Sequence, residues 1–210
     1  LLAESTGKEG TGLIPIAGEP LAPPSAYGSD RYFVCLRLKG DRNASLDRSV
    51  AALHKAGHPI FRLNLTDRYD LGAEFFRWEI AVSVACHILG INTYDQPDVQ
   101  DSKLRTIAKI KDYQSTGKLA EVDLVDVKDA KTALRKFLAD AKAGNFVTIN
   151  AYVPRNHEMV DVIQKLRVAL REQTGCPVSA GFGPRFQHST GQFHKGGPNK
   201  GFFMQVVYDA

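Results

Sequence analysis

The sequence predicts an α/β protein with a doubly wound, mostly parallel sheet that carries helices on both faces. Short runs of apolar and β-branched residues alternate with segments of ten or more residues that have helical spacing, which is the pattern of βαβ units. Glycine or proline stands at many of the transitions, where the chain must turn. These observations favour a flavodoxin-type arrangement, in which ligands bind at the carboxyl ends of the strands.

The elements follow from local patterns in chain order. Residues 1–30 are expected to form a loop or connector, because positions 11–30 are rich in glycine, proline and alanine. Residues 31–210 are expected to form a single α/β domain. Strands are predicted at 32–38, 59–65, 146–153, 178–182 and 202–208, and helices at 45–56, 71–89, 97–114, 130–143 and 157–173.

Boundary residues support several of these assignments. Gly57 and Gly90 each follow a predicted helix, where glycine commonly ends helical hydrogen bonding. Pro97 suits the first position of the next helix, because the N–H that proline lacks would have no helical partner there. The helix over 71–89 is mostly apolar, which predicts packing on several of its sides. Residues 115–128 are predicted to form a loop.

Composition excludes several function classes. A net charge of +4 over 210 residues is modest and does not indicate nucleic-acid binding. The longest apolar runs are too short for a membrane span. The three cysteines form no CxxC pair and are expected to be buried free thiols, which suits the cytoplasm. The histidines show no metal-ligand spacing, and no metal or cofactor is expected.

Three segments have the composition of ligand loops: 4–12, 92–103 and 181–200. The last of these lies in an acid-free stretch that runs from Gln173 to Tyr208, so it favours an anionic ligand or simply a mildly basic surface. Its glycines allow close approach of the backbone to a ligand. Its polar candidates are Arg185, His188, Ser189, Thr190, Gln192 and His194.

The middle segment places Gln96 and Lys103 seven residues apart, which is two helical turns, so both side chains share one helix face. Lys103 is then a partner for phosphate or hydroxyl groups, or an ordinary exposed lysine. A Schiff-base lysine of the transaldolase type is a further alternative, but the sequence lacks the pattern of an eight-stranded barrel to hold it. Glu4, taken alone, is more often a solvated surface acid than a catalytic base.

The three segments together resemble the phosphoglucose isomerase family. Glu4-Ser-Thr-Gly-Lys8 is similar to the family's Glu-Ser-Asn-Gly-Lys, and Asp95-Gln96 with Lys103 is similar to its Asp-Gln…Lys helix. The segment 71–79 looks like the Leu-Gly-Ala…Tyr-Glu helix of the family, and 187–192 looks like its Gln-His-Ser/Ala…Gln segment. The resemblance covers nearly the whole chain. It is strongest to the isomerase half of bifunctional transaldolase/phosphoglucose isomerase proteins.

The resemblance implies a sugar isomerase (SIS) fold and a reaction that interconverts glucose 6-phosphate and fructose 6-phosphate through a cis-enediol. Glu4 is then the base that moves the proton between C1 and C2, His188 opens the sugar ring, and Lys103 holds a ring hydroxyl. His194 is a second candidate for the histidine role. Gln96, Arg185, Ser189, Thr190, Gln192 and His194 are then expected to bind the substrate.

The sequence departs from the family pattern in one respect. The family's order is Glu, His, Lys, whereas the order here is Glu4, Lys103, His188, and residues 27–32 stand where the family's histidine is expected. The phosphate-gripping Ser/Thr loop and the Gly-Gly-Arg segment of the first SIS domain do not occur in the sequence. We therefore expect the chain to be a C-terminal piece of a longer enzyme and to have little isomerase activity alone.

The partners implied are the sugar phosphate substrate, the first SIS domain of the same enzyme and a second copy in a homodimer, with neither nucleic acid nor membrane among them. A non-catalytic sugar-phosphate-binding SIS module is the alternative function. Convergence of the carboxylate, imidazole and ammonium on one cleft would favour the enzyme over this module.

Overall fold

The computed structural model describes residues 1–119 and 123–208, and it confirms the α/β class. The described helices are α1 (Leu2–Thr6), α2 (Ala44–Lys55), α3 (Asp70–Leu89), α4 (Pro97–Thr116), α5 (Ala130–Phe137), α6 (His157–Thr174) and α7 (Gly191–Gly196). The described strands are β1 (Phe33–Leu38), β2 (Ile60–Leu65), β3 (Phe146–Tyr152), β4 (Val178–Phe182) and β5 (Gly201–Val207). Two 3-10 turns lie at Pro24–Ala26 and Arg185–His188.

Most predicted elements occur within one or two residues of their expected bounds. Gly90 adopts the left-handed conformation that ends α3, and Pro97 occupies the first turn of α4. Helix α5 is the exception, because it ends at Phe137 rather than at 143. The predicted loop at 115–128 falls partly on residues 120–122, which lie outside the described residues.

All described strand pairs are parallel, but they form two sheets instead of the one sheet that the sequence predicts. Strand β1 pairs with β2, and the second sheet has the order β4-β3-β5. The alternation of strands and helices is interrupted between them, because α3, α4 and α5 follow one another before β3 begins. Strand β3 then starts a new βαβ unit with its own partners.

Helices cover both faces of the three-stranded sheet. On one face, α5 and α6 bury an apolar cluster that includes Val147, Ile149 and Ala151 of β3. The other face carries Phe146 and Phe203, whose rings lie 5.8 Å apart, and Phe146 also contacts Phe193 of α7. Ala3 of α1 packs into this second cluster. The sheet therefore seats the start of the chain against its last helix.

The packing predicted for α3 on several sides is wrong. Its buried residues are Glu74, Val82 and Cys86, whereas large apolar side chains on its other faces are exposed: Leu71, Phe75, Phe76, Ile80, Val84 and Ile88. Apolar composition predicts burial, but the structure brings too few elements near this helix to supply it. Within the described part of the chain, none of the helices has both the length and the apolar character needed to traverse a bilayer.

The segment 13–22 is a strap that lies along α6. Three carbonyl groups of the strap accept hydrogen bonds from one face of α6: Gly18 O from Gln164, Ala17 O from Arg167 and Pro20 O from Arg171. The carboxylate of Glu19 also lies 3.2 Å from the guanidinium of Arg171. The predicted connector is therefore firmly attached to the second sheet and its helices.

Candidate functional site

Helix α1 holds Glu4 on a short, firmly seated turn. Ala3 and Thr6 are buried beneath it, while Glu4 itself is half-buried. Gly7 follows the helix where the backbone passes very close to α7, since a Cβ at this position would lie 2.3 Å from the Cα of Phe193. Glycine is thus required at this position for α1 and α7 to pack together.

Lys8 attaches this first segment to the second. Its side chain is fully buried, and its ammonium group donates to the carbonyl of Asn92 at 2.7 Å, to the carboxylate of Asp95 at 2.8 Å and to the Asp95 carbonyl. These acceptors lie in the loop just before α4. A buried ammonium group needs all such partners, because a charge taken out of water without them is very costly.

Glu4 and Gln96 meet directly across this junction. The amide Nε2 of Gln96 donates to Oε1 of Glu4 at 3.0 Å, although the two residues are 92 positions apart in the chain. The Glu4 carboxylate is thereby oriented by a neutral donor and keeps its second oxygen for other partners. Two of the residues that the sequence predicts for one site are therefore in contact.

The third segment joins the same place through α7. The side chain of Gln192 is 1% exposed, and its Nε2 donates to the carbonyl of Gly7 at 3.0 Å and to the carboxylate of Asp98. The backbone N–H of Gly10 donates to the carbonyl of Gly196 at 2.9 Å. All three predicted ligand segments thus converge on one junction. Gln192 holds them together from a buried position through its amide group, and its predicted role as a substrate contact stays a prediction.

Lys103 and His188 are not brought into contact with Glu4. Lys103 lies on α4 with an exposed side chain, and His188 ends the 3-10 turn before α7, also exposed. Both lie on elements that adjoin the junction, because α4 contacts α7 and α7 contacts the 3-10 turn. The three segments that carry these residues therefore adjoin one another. The side chains of Lys103 and His188, however, do not converge on the Glu4 carboxylate.

A cavity of about 480 Å³ lies beside the junction, at the carboxyl ends of β3 and β4. It is lined by four of the predicted substrate-binding residues, Arg185, Ser189, Thr190 and His194. The hydroxyl groups of Ser189 and Thr190 both donate to the carbonyl of Phe186 at 3.3 Å. None of the described atoms lining the cavity belongs to Glu4, Gln96 or Lys103.

His194 lies largely buried at one wall of this cavity. Its ring packs 5.2 Å from that of Phe203 and 6.1 Å from that of Phe186. Burial among these rings, with a smaller contribution from the charge of Lys195, lowers the pKa of His194 to about 4. The imidazole is therefore neutral at physiological pH and suits hydrogen bonding to a ligand better than charge stabilisation.

Sequence reasoning missed the polar floor of the cavity and the buried lysine. Thr148 and Asn150 alternate with apolar residues along β3, and the hydroxyl of Thr148 lies 2.9 Å from that of Ser179. The alternation was the available signal, since polar residues at every second position of a buried strand face one side. The pairing of Lys8 with Asp95 had no local signal.

No family model, curated protein or solved structure matches this chain.

Proposed function

We propose that this chain is the C-terminal part of a glucose-6-phosphate isomerase, of the kind found in transaldolase/phosphoglucose isomerase proteins. The single observation that carries the proposal is the convergence of the three motif segments. These segments are far apart in the sequence. In the fold, Gln96 donates a hydrogen bond to Glu4, and Gln192 donates one to the carbonyl of Gly7, three residues after Glu4. Motifs that resemble one family and also share one place in the fold support a common site.

In the proposed reaction, Glu4 removes the proton from C2 of the open-chain aldose and returns it to C1 of the cis-enediol. Gln96 orients the carboxylate through its amide group. His188 moves a proton at the ring oxygen during ring opening, and Lys103 holds a hydroxyl group of the sugar. Both side chains are exposed and therefore available to a substrate. Gln192 acts as a positioning residue, because its amide group joins Gly7 to Asp98.

The first SIS domain and a second copy of the chain belong to the proposal as partners. The apolar side chains exposed on α3, among them Phe75 and Phe76, support an additional covering element. A cytoplasmic location is part of the proposal as well. It is supported by three buried free cysteines, Cys35, Cys86 and Cys176, because unpaired thiols are usual in a reducing compartment.

The proposal is tested with Glu4→Gln, which keeps the hydrogen-bonding shape and removes the base. In the presence of the proposed first SIS domain, we expect conversion of glucose 6-phosphate to fall by about 10²–10⁴-fold, while binding of glucose 6-phosphate measured by calorimetry persists. Glu9→Gln is the matched control, because Glu9 is an exposed acid in the same loop. Undiminished turnover by Glu4→Gln, or a chain that binds no sugar phosphate, would refute the proposal.

A non-catalytic sugar-phosphate-binding module is the second candidate. Two observations favour it: Glu4 does not line the cavity that holds Arg185 and His194, and the side chains of Lys103 and His188 do not converge on Glu4. A sensor of this kind has no need of a base beside its ligand. Sugar phosphate binding without detectable turnover, even when the proposed first SIS domain is supplied as a separate chain, would select this function over the enzyme.

A further inference from the structure

The outer edge of β5 has no strand beside it among the described residues. The three-stranded sheet has the order β4-β3-β5, so β5 pairs with β3 on one side only. Between Gly201 and Val207 the strand has no charged residue and no proline, which are the features by which proteins usually protect an edge. An apolar edge of this kind is a template for the addition of another strand.

The segment 123–127 has the composition of a strand but pairs with nothing in the described part of the chain. Its sequence is Asp-Leu-Val-Asp-Val. The side chains of Leu124, Val125 and Val127 are 68%, 60% and 89% exposed. Its backbone N–H groups donate to no backbone carbonyl among the described residues. Both the apolar surface and the N–H groups would be stabilised by pairing with a sheet.

The segment is joined to a helix that already lies against β5. A turn connects it to α5, in which the N–H of Asp129 donates to the carbonyl of Asp126 at 2.9 Å. The ring of Phe137 at the end of α5 lies 5.5 Å from that of Phe202 in β5. Connections of about two residues are usual between a strand and the helix that follows it. The segment is therefore tethered close to the free edge.

Chain topology selects the edge on β5 over the edge on β4. Helices α5 and α6 lie on the same face of the sheet, because both pack into the apolar cluster around β3. The crossover β3-α6-β4 runs from β3 toward β4 over this face. A strand beside β5 that continues through α5 to β3 crosses the sheet in the same direction and has the same hand. A strand beside β4 would have the opposite hand, and parallel crossovers of both hands in one sheet are rare.

The charges of the segment and the edge are complementary. The stretch from Gln173 to Tyr208 contains no acid, and β5 begins directly after the exposed Lys200. The segment carries Asp123 and Asp126, of which Asp126 lies 3.5 Å from Lys128 in the turn. In a parallel strand beside β5, Asp123 lies at the same end of the sheet as Lys200.

We propose that residues 123–127 add to the outer edge of β5 in the same molecule, as a fourth parallel strand of this sheet. Successive side chains of a strand point to opposite faces, so Leu124 and Val125 extend different faces of the sheet. The two faces of β5 carry Phe202 and Phe203, and each gains an apolar neighbour. The inference goes beyond the proposed isomerase function and does not depend on it, because it involves neither Glu4 nor a substrate.

The added strand also affects the wall of the cavity. The side chain of Phe203 is 40% exposed, and its ring packs 5.2 Å from that of His194, which lines the cavity. A strand beside β5 covers part of this exposed ring. The environment of His194 therefore becomes drier when the strand is in place.

NMR spectroscopy of the full 210-residue chain tests the proposal. We expect the N–H groups of 124–126 to exchange with solvent at least about tenfold more slowly than in an unstructured peptide. Nuclear Overhauser effects are expected between backbone protons of 124–126 and those of 202–206. A sample that mixes labelled and unlabelled chains separates contacts within one molecule from contacts between two.

Leu124→Pro and Val125→Pro remove one N–H group each. Successive N–H groups of a strand point to opposite sides, so one of these two must face β5. That variant is expected to speed the exchange of outward-facing β5 amides at least about tenfold, because proline cannot donate to the ladder. Leu124→Ala and Val125→Ala are the matched controls, since they keep the N–H and should keep most of the protection. Thermal unfolding verifies that each variant is folded.

Three outcomes would overturn the inference. The first is exchange of 124–126 at the rate of an unstructured peptide. The second is equal exchange of the β5 amides in the two proline variants and the two alanine variants. The third is a set of contacts found only between molecules, which would make a second copy the occupant of the edge. None of these results bears on glucose 6-phosphate turnover, so failure here leaves the isomerase proposal to its own test.

Discussion

Replacement of Lys8 by methionine should destabilise the protein substantially. Methionine keeps most of the volume and flexibility of lysine but removes the ammonium group. The fully buried Nζ donates to two carbonyls and to the carboxylate of Asp95. The variant leaves the carbonyls of Asn92 and Asp95 without this donor at the junction between the first two motif segments.

The magnitude follows from the exposure of the two partners. Removing one member of a fully buried ion pair costs about 3–5 kcal/mol. The side chain of Asp95 is 47% exposed and regains water when Lys8 is lost, so the cost falls at the lower end of that range. We expect a loss of about 3 kcal/mol in the free energy of unfolding, or about 1.5 M in the urea midpoint for an m-value of about 2 kcal/mol/M.

Urea unfolding followed by circular dichroism measures this loss. Asp95→Asn serves as a comparison, because it keeps the side-chain oxygen and both carbonyl acceptors but leaves the buried Lys8 ammonium without a negative charge, so it should lose about as much stability. Lys39→Met is the control, since Lys39 is exposed. A Lys8→Met or Asp95→Asn midpoint equal to that of Lys39→Met would refute the reasoning.

Three further predictions concern pH and packing. Because burial lowers the pKa of His194 to about 4, the unfolded chain binds a proton that the folded chain excludes. The free energy of unfolding should therefore fall by about 2 kcal/mol between about pH 7 and pH 4.5, and His194→Gln should remove this part of the fall in urea titrations. Gly7→Ala should cost at least about 2 kcal/mol in thermal unfolding, because its Cβ would lie 2.3 Å from the Cα of Phe193, which is backbone and cannot rotate away. Glu19→Gln should destabilise by about 2–4 kcal/mol in urea unfolding, because Arg171, with 5% of its side chain exposed, would lose its charged partner.

Each of these has a control and a contradicting result. An unchanged pH profile in His194→Gln would mean that other groups cause the acid destabilisation. Gly72→Ala is the control for Gly7, because nothing lies within 4 Å of a Cβ at Gly72 and helical alanine is favourable. Equal midpoints for the two alanine variants would contradict the close approach. A Glu19→Gln variant as stable as Glu9→Gln would show that the strap is held by its carbonyls alone.

Local sequence patterns predicted the elements well because their causes are local. Helix α6 illustrates this: the side chain of Asn156 accepts from the N–H of Met159 at its start, and Gly175 adopts the left-handed conformation at its end. Both signals lie within a few residues of the helix they bound. Strand β4, Val178–Phe182, occurs at the predicted residues for the same reason. Helix α5 ends at Phe137 and not at 143, and no local signal in the sequence marks that point.

The candidate site was predicted in part. The sequence indicated three ligand segments, and Glu4 and Gln96 do meet. It did not indicate which side chains become buried: His194 is largely enclosed while His188 is exposed, although both lie in the same glycine-rich segment. The burial of His194 depends on the ring of Phe203, which lies on strand β5.

The sequence by itself determined the α/β class, the parallel pairing and the segments that carry polar chemistry, because residue type and spacing specify these over short distances. Only the tertiary structure decided that the strands divide into two sheets, that Lys8 is buried against the loop before α4, and that Arg167 lines a cavity with a nitrogen unused. These features depend on contacts between residues far apart in the chain. Such contacts arise from the packing of whole elements, which no local pattern encodes.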